Sequence, residues 1–265
     1  TDNDALTNKV YNYKCFDIAY EKTSGRALLV YSRGATTNEI GYKTWTFGTG
    51  WSSENLLELS YTTEAVNWIA LASKPTSGSD EIAMIYVDQN IDVHGYVWTG
   101  SWSLMGATAV WDASAAIATE ECIAVAYEQT SGRAIFIWAD AITTDFYYRT
   151  WNGVTLTGPT LLDIAAAGAV GNWVTLKSNL INNELMFLVV DGASDLNTAY
   201  WSGSAWTVHT EHDGTVSTHA QRCADFDWEP TGSKGLLVWG TTAGYIAYRT
   251  FTAPNTWGMP QNPAM

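Results

Sequence analysis

The sequence predicts an all-β propeller of five blades, each of four antiparallel strands. Three observations carry this. Cys15, Trp68, Cys122, Trp173 and Cys223 open five similar segments separated by 53, 54, 51 and 50 residues. A period of this size marks a stack of small β units, none of which can bury a core alone. Each segment also contains a short, continuously apolar run, the pattern of a strand buried on both faces. No segment shows a convincing helical period.

The repeats are taken in order as 15–66, 67–120, 121–171, 172–221 and 222–265 of a single domain. The first and third agree best: CFDIAYEKTSGRALLVY and CIAVAYEQTSGRAIFIW share nine of 17 positions. In the first repeat, Phe16 to Tyr20 alternates as a strand and Ala27 to Tyr31 is the apolar second strand. Ile40 to Trp45 is the third, and Trp51 to Leu59 contains the fourth. The other second strands are Ile82 to Val87, Ala134 to Trp138, Leu185 to Val190 and Leu236 to Trp239. Four strands in about fifty residues is the size of a propeller blade. The small-residue stretch from Ile164 to Val170 is a loop or strand connection.

The repeats alternate between two kinds, A and B, in the order A, B, A, B, A. The A repeats carry an acid before a hairpin loop and a base after it: Glu21 and Arg26, Glu128 and Arg133, Glu229 and Lys234. These are expected to be exposed cross-strand pairs worth only ~0.2–1 kcal/mol each. The B repeats begin Asn67-Trp68 and Asn172-Trp173 instead. Pro260 and Pro263 interrupt the last strand of the fifth repeat. Residues 1–14, with the apolar segment Leu6 to Tyr13, are expected to supply a closing outer strand. It either seals the ring or links one molecule to the next.

Composition narrows the function. The 265 residues are 46% hydrophobic and 15% charged, with a net charge of −14. Such an acidic chain is not a nucleic-acid binder, because phosphates require a basic surface. No run reaches the ~18 apolar residues of a membrane helix. A chain that opens on Thr1 without a leader pattern is expected to be a processed product or a segment of a longer one. Cys15, Cys122 and Cys223 share one repeat position. They read as a buried apolar slot or, alternatively, as a disulfide between neighbouring repeats with one thiol left over.

The tryptophans are the main binding candidates. Trp45, Trp51, Trp98, Trp102, Trp151, Trp201, Trp206 and Trp257 recur in one phrase, as in Trp98-Thr-Gly-Ser-Trp102. Exposed, their faces would stack on sugar rings; buried, they would pack between blades and staple the turn. Asp88, Asn90 and Asp92 space oxygen ligands as a Ca2+ loop does, without the glycine and distal glutamate of a full motif. Turn hydrogen bonding is the ordinary use of such residues. His209, His212 and His219 cluster in the fourth repeat, but on a regular strand His209 and His212 point to opposite sides, so a zinc site would need the chain to bend. Asp17, Asp225 and Asp227 lie on first strands and would form either an acidic channel mouth or a solvated wall.

The alternation of FDIAYEKTSGRALLVY-like and NWIALASKPTSGSDEIAMIYVD-like segments resembles repeats in large secreted bacterial and archaeal surface proteins of undefined activity. The Trp-x-Gly-x-Trp turn is similar, more loosely, to propeller lectins of the fucose-binding and tachylectin kinds. The second resemblance implies a sugar site where Arg, Glu and Trp converge between blades. A sialidase-type glycosidase would need three arginines without a repeat role, and only Arg33 and Arg222 qualify. No hydrolase or phosphate-loop motif is present.

The expectation from sequence is a non-catalytic, extracellular or cell-surface structural or adhesive repeat protein. Its partners would be itself, as in a filament subunit, or other surface components. A carbohydrate-binding propeller lectin is the alternative and a sialidase-like glycosidase the third reading.

Overall fold

The structure is a computed structural model that describes residues 14–33, 38–59, 65–115, 120–141, 145–164, 170–218 and 220–262. The expected closing strand, Leu6 to Tyr13, lies outside the described residues. So does His219.

The described residues form five antiparallel sheets, and the all-β propeller reading holds. The first contains β1 (Phe16–Tyr20), β2 (Ala27–Ser32), β3 (Glu39–Thr46), β4 (Gly50–Trp51) and β5 (Asn55–Glu58), with both β4 and β5 paired to β3. The second runs β6 (Val66–Ser73), β7 (Ile82–Asp88), β8 (Val93–Trp98), β9 (Trp102–Leu104). The third runs β10 (Ile123–Tyr127), β11 (Ala134–Ala139), β12 (Phe146–Trp151), β13 (Thr160–Leu162). The fourth runs β14 (Gly171–Ser178), β15 (Leu185–Asp191), β16 (Leu196–Trp201), β17 (Trp206–Asp213). The fifth runs β18 (Ala224–Trp228), β19 (Lys234–Gly240), β20 (Ile246–Thr252), β21 (Thr256–Trp257).

Hydrophobic pattern decides which strands lie deepest. β7, β11 and β15 are buried along their whole length, as a strand with apolar residues on both faces requires. Hairpin chemistry sets the register. Gly25 and Gly132 sit at φ +70 and +67 in equivalent loops, a conformation that a side chain strains. Those loops place Tyr20 opposite Ala27 and Tyr127 opposite Ala134.

The blades pack in sequence order, β1 on β6, β6 on β10, β10 on β14 and β14 on β18. The core is therefore a series of blade-to-blade interfaces. One cluster joins blades one and two, a large one joins two, three and four, and a third joins four and five. Among the described residues no packing of this kind links β18 back to β1.

Candidate functional site

The side chains with the most chemistry converge where an A blade meets the B blade that follows it. There are two such junctions, built alike. At the first, Glu21 is buried and accepts two bonds from Arg26, from Nε at 2.6 Å and Nη2 at 2.8 Å. It also accepts from the Ser24 hydroxyl and, across the junction, from Trp98 Nε1 at 2.7 Å. At the second, buried Glu128 accepts from Arg133, from the Ser131 hydroxyl and from Trp201 Nε1 at 2.6 Å. Burial pushes the Glu21 carboxyl up, but the bonds from Arg26, Ser24 and Trp98 outweigh it and hold it below the ordinary carboxylate value.

This corrects the expectation of exposed pairs in blades one and three. A carboxylate buried with an arginine, a hydroxyl and an indole is held by its neighbouring blade, not by the hairpin alone. In the fifth blade the expected pair is only a backbone contact, Glu229 N–H to the Lys234 carbonyl at 2.9 Å. Lys234 is exposed.

The hairpin loops are clamped by the next blade as well. The Thr23 and Ser24 N–H groups donate to Asp80 Oδ1 at 2.7 and 2.9 Å. Those of Thr130 and Ser131 donate to Asn183 Oδ1 at 3.0 and 2.9 Å. Sequence reasoning passed over Asp80 and Asn183. Their signal was an Asp or Asn immediately before Glu81 and Glu184 in both B repeats.

Aromatic rings line the rest of each junction. Tyr42 lies 5.4 Å from Trp98 and 6.0 Å from Trp102, and Tyr148 lies 6.1 Å from Trp201 and 5.9 Å from Trp206. Arg133 stacks 5.4 Å over the Trp201 ring. Trp98 and Trp201 are buried, while Trp102 and Trp206 are half-buried. The Nε1 groups of Trp102 and Trp206 have no hydrogen-bond partner at either junction. The other tryptophans divide the same way: Trp51 is exposed, and Trp45, Trp151 and Trp257 are half-buried.

Junctions from B to A are different. Arg249 donates from Nη1 toward His209 Nε2 at 3.3 Å and His212 Nδ1 at 3.4 Å, and Trp257 packs 4.3 Å from His212. The two histidines share a side because β17 bulges: Leu196 pairs with Asp213 and Thr198 with His209, and Glu211 sits at φ 59 between them. The bend that a zinc site would need is present, but the two rings face the Arg249 guanidinium, which opposes a second cation. Burial first, then His209 and Arg249, push His212 down to about 2. The parallel junction holds Arg149 5.3 Å over Trp111.

The expected calcium loop is rearranged. Asp88 is buried and accepts the backbone N–H of Asn90 at 2.9 Å and of Asp92 at 3.0 Å. The Asn90 side chain is exposed. His94 takes its place beside the two acids, with ligand atoms within 4.8 Å of one another. Asp191 accepts the same two backbone bonds in the fourth blade, from Ala193 and Asp195. The repeated acid is thus a turn residue.

The inner strands do not form an acidic ring. Lys14 lies 3.2 Å from Asp17 and 3.8 Å from Glu121, Arg222 lies 2.5 Å from Glu121, and Lys177 lies 3.8 Å from Asp225. Paired charges offset the acids that sequence placed there, and Asp227 remains solvated. None of the three cysteines forms a disulfide; Cys15 and Cys122 are buried and Cys223 is half-buried, and burial pushes the Cys122 thiol up to about 12, as an apolar slot requires.

No protein-family model and no curated protein matches the chain. Its backbone is similar to that of solved propellers. The BP39L lectin from Burkholderia pseudomallei superposes with TM-score 0.68 at 12% identity, covering 94% of this chain and 70% of that one. The SapL1 lectin, in complex with alpha methyl fucoside, gives 0.52 at 14% identity, covering 93% and 81%. A fungal lectin from Aleuria aurantia, described as a six-bladed β-propeller with a novel fucose recognition mode, gives 0.50 at 11%, covering 94% and 78%. Of the two resemblances in the sequence, the looser one is the one these structures share. They correct the expectation of a structural or adhesive repeat protein or filament subunit, since these three propellers with a similar backbone are described as lectins.

Proposed function

We propose that this chain is a non-catalytic carbohydrate-binding propeller that takes a fucosylated glycan at its two A-to-B junctions. The observation that carries this is the unpartnered indole N–H of Trp102 and Trp206, in the same place at both junctions. The rings are half-buried, but these N–H atoms are themselves closed off from solvent, and a buried donor without an acceptor costs stability unless a small shift of the ring lets something else satisfy it. A sugar does so with a hydroxyl while its C–H face packs on the ring. Tyr42 and Tyr148 supply the second aromatic wall. Arg26 and Arg133 stand beside it, partly exposed, with their carboxylate partners sealed beneath. Arg, Glu and Trp thus meet between blades, as the lectin resemblance implies. The SapL1 and Aleuria aurantia lectins add support, since they are described with a fucoside and with fucose. A location outside the cell or at its surface goes with a glycan partner.

Two equivalent sites on one chain favour multivalent ligands, because the second contact forms at high effective concentration. The test is calorimetric titration with alpha methyl fucoside, followed by the double variant Trp102→Phe and Trp206→Phe. Phe keeps an aromatic face and removes the N–H together with the five-membered ring. The wild type is expected to bind at two sites, and the variant to lose at least about tenfold in affinity, the worth of one hydrogen bond. Its melting temperature should shift by only a few degrees, because relief of the unpaired donor offsets the lost ring contacts. Equal binding by the variant, or no binding of fucosides by the wild type, would overturn the proposal.

A further inference from the structure

Blades one, three and five open on equivalent strands whose side chains meet different fates. On β10, Ile123, Val125 and Tyr127 are buried, and the Tyr127 hydroxyl donates to Glu81 of the second blade at 2.8 Å. On β18, Ala224, Phe226 and Trp228 are buried, and Trp228 Nε1 donates to the Lys177 carbonyl of the fourth blade at 3.0 Å. On β1 the same positions are Phe16, Ile18 and Tyr20, exposed by 46%, 49% and 54%. The fifth blade repeats the pattern on its other side. Leu28 and Ile135 are 0% exposed, but their counterpart Leu236 is 43% exposed. Ile40 and Phe146 are 0% exposed, but their counterpart Ile246 is 55% exposed. Among the described residues nothing covers these two apolar sheet faces, and the matching faces elsewhere in this chain are covered by B blades.

We infer that the cleft between the fifth and first blades takes a four-stranded unit of the B type, seated beside the backbone bridge that Gln261 makes with Tyr248. The chain's own B blades define the occupant. It is a four-stranded unit, apolar on both faces, with an indole pair for Tyr248 and an acceptor for the Tyr20 hydroxyl. Gln261 exchanges both backbone hydrogen bonds with Tyr248, at 2.9 and 3.0 Å. Asn55 pairs with Tyr42 and Thr160 with Tyr148 at the equivalent place, and each of those strands leads on to a B blade. A second copy of the chain is a poorer occupant. Its two open faces are both A-type, and A faces in this chain pack only on B faces. The alternation A, B, A, B, A then completes as A, B, A, B, A, B, the blade count of the fungal lectin. The inference rests on blade faces and is independent of the sugar reading.

The experiment appends residues 165–221, a B repeat with its lead-in, after Met265 of the full chain. Melting and amide hydrogen exchange are then compared with the 265-residue protein. Closure is expected to raise Tm by roughly 5–10 °C and to slow exchange in β1 and β20. Ile246→Asp should leave the 265-residue chain unchanged and abolish the gain in the extended one. An A repeat, residues 114–171, appended instead should give no protection. The inference fails if β1 exchanges equally fast in both chains, including when the appended repeat itself stays unprotected. It also fails if the 265-residue chain protects β1 by itself as concentration rises and sediments as a dimer, because a second copy is then the occupant.

Discussion

Glu128 and Glu229 occupy the same place in the third and fifth repeats, yet one is a buried keystone and the other a half-exposed loop residue. Glu128 holds Arg133, Ser131 and the Trp201 indole of the next blade. Glu229 has a blade behind it and none in front among the described residues. The difference lies in the neighbour, with local changes following it. Arg becomes Lys234, and Ser-Gly becomes Gly232-Ser233, so the loop hydroxyl moves away from the carboxylate position. A motif that repeats in sequence therefore has no fixed energetic worth. Its worth depends on whether the far side of the junction removes it from water.

The largest expected contrast is in apolar packing. Phe146→Ala should cost about 3–5 kcal/mol, because the ring is fully buried against Phe187 of the next blade. Ile246→Ala, at the equivalent open position, should stay within about 0.5 kcal/mol. Urea denaturation measures both, and equal losses would break the comparison. Next is the ion pair. Arg133→Ala leaves the Glu128 carboxylate buried with only Ser131 and Trp201 to hold it, at a cost of about 3 kcal/mol. Lys234→Ala should leave the denaturation midpoint where it is.

Acid should find the junctions in a set order. His212 has a folded value near 2 against an ordinary 6.5, so the unfolded chain takes up the proton first. Its contribution is complete above pH 6.5 and falls, by at most about 1.4 kcal/mol per pH unit, as pH drops toward the folded value. Glu21 is also lowered, so its contribution is present above its ordinary 4.5 and is lost only as pH falls through the lower folded value. Melting of His212→Asn between pH 7 and 5 should be flatter than that of the wild type. A parallel decline would remove His212 from the account. A small stability effect is expected from the indole exchange at Trp102 and Trp206, where affinity changes and relief of the unpaired donor offsets the lost ring contacts.

Much of this was readable in the residues. The fifty-residue period, the apolar second strands and the alternation of A and B repeats follow from local spacing, because strand faces and hairpin loops are set by neighbours in sequence. The tryptophans were readable as a class, but their division was not. Trp98 and Trp102 are four residues apart in one turn, and only the Glu21 carboxylate, 77 positions from Trp98, separates a satisfied indole from a free one. His209 and His212 were assigned to opposite sides by the period of a regular strand. The bulge at Glu211 brought them together.

The sequence by itself determined the units: how many strands, where each hairpin turns, and which runs are apolar. These depend on side chains within a few residues of one another. Only the tertiary structure decided what each unit meets. Burial is a property of two surfaces, so Phe16 and Ile123, equivalent in repeat and alike in chemistry, differ entirely in exposure. The cause is whether a B blade lies in front of them.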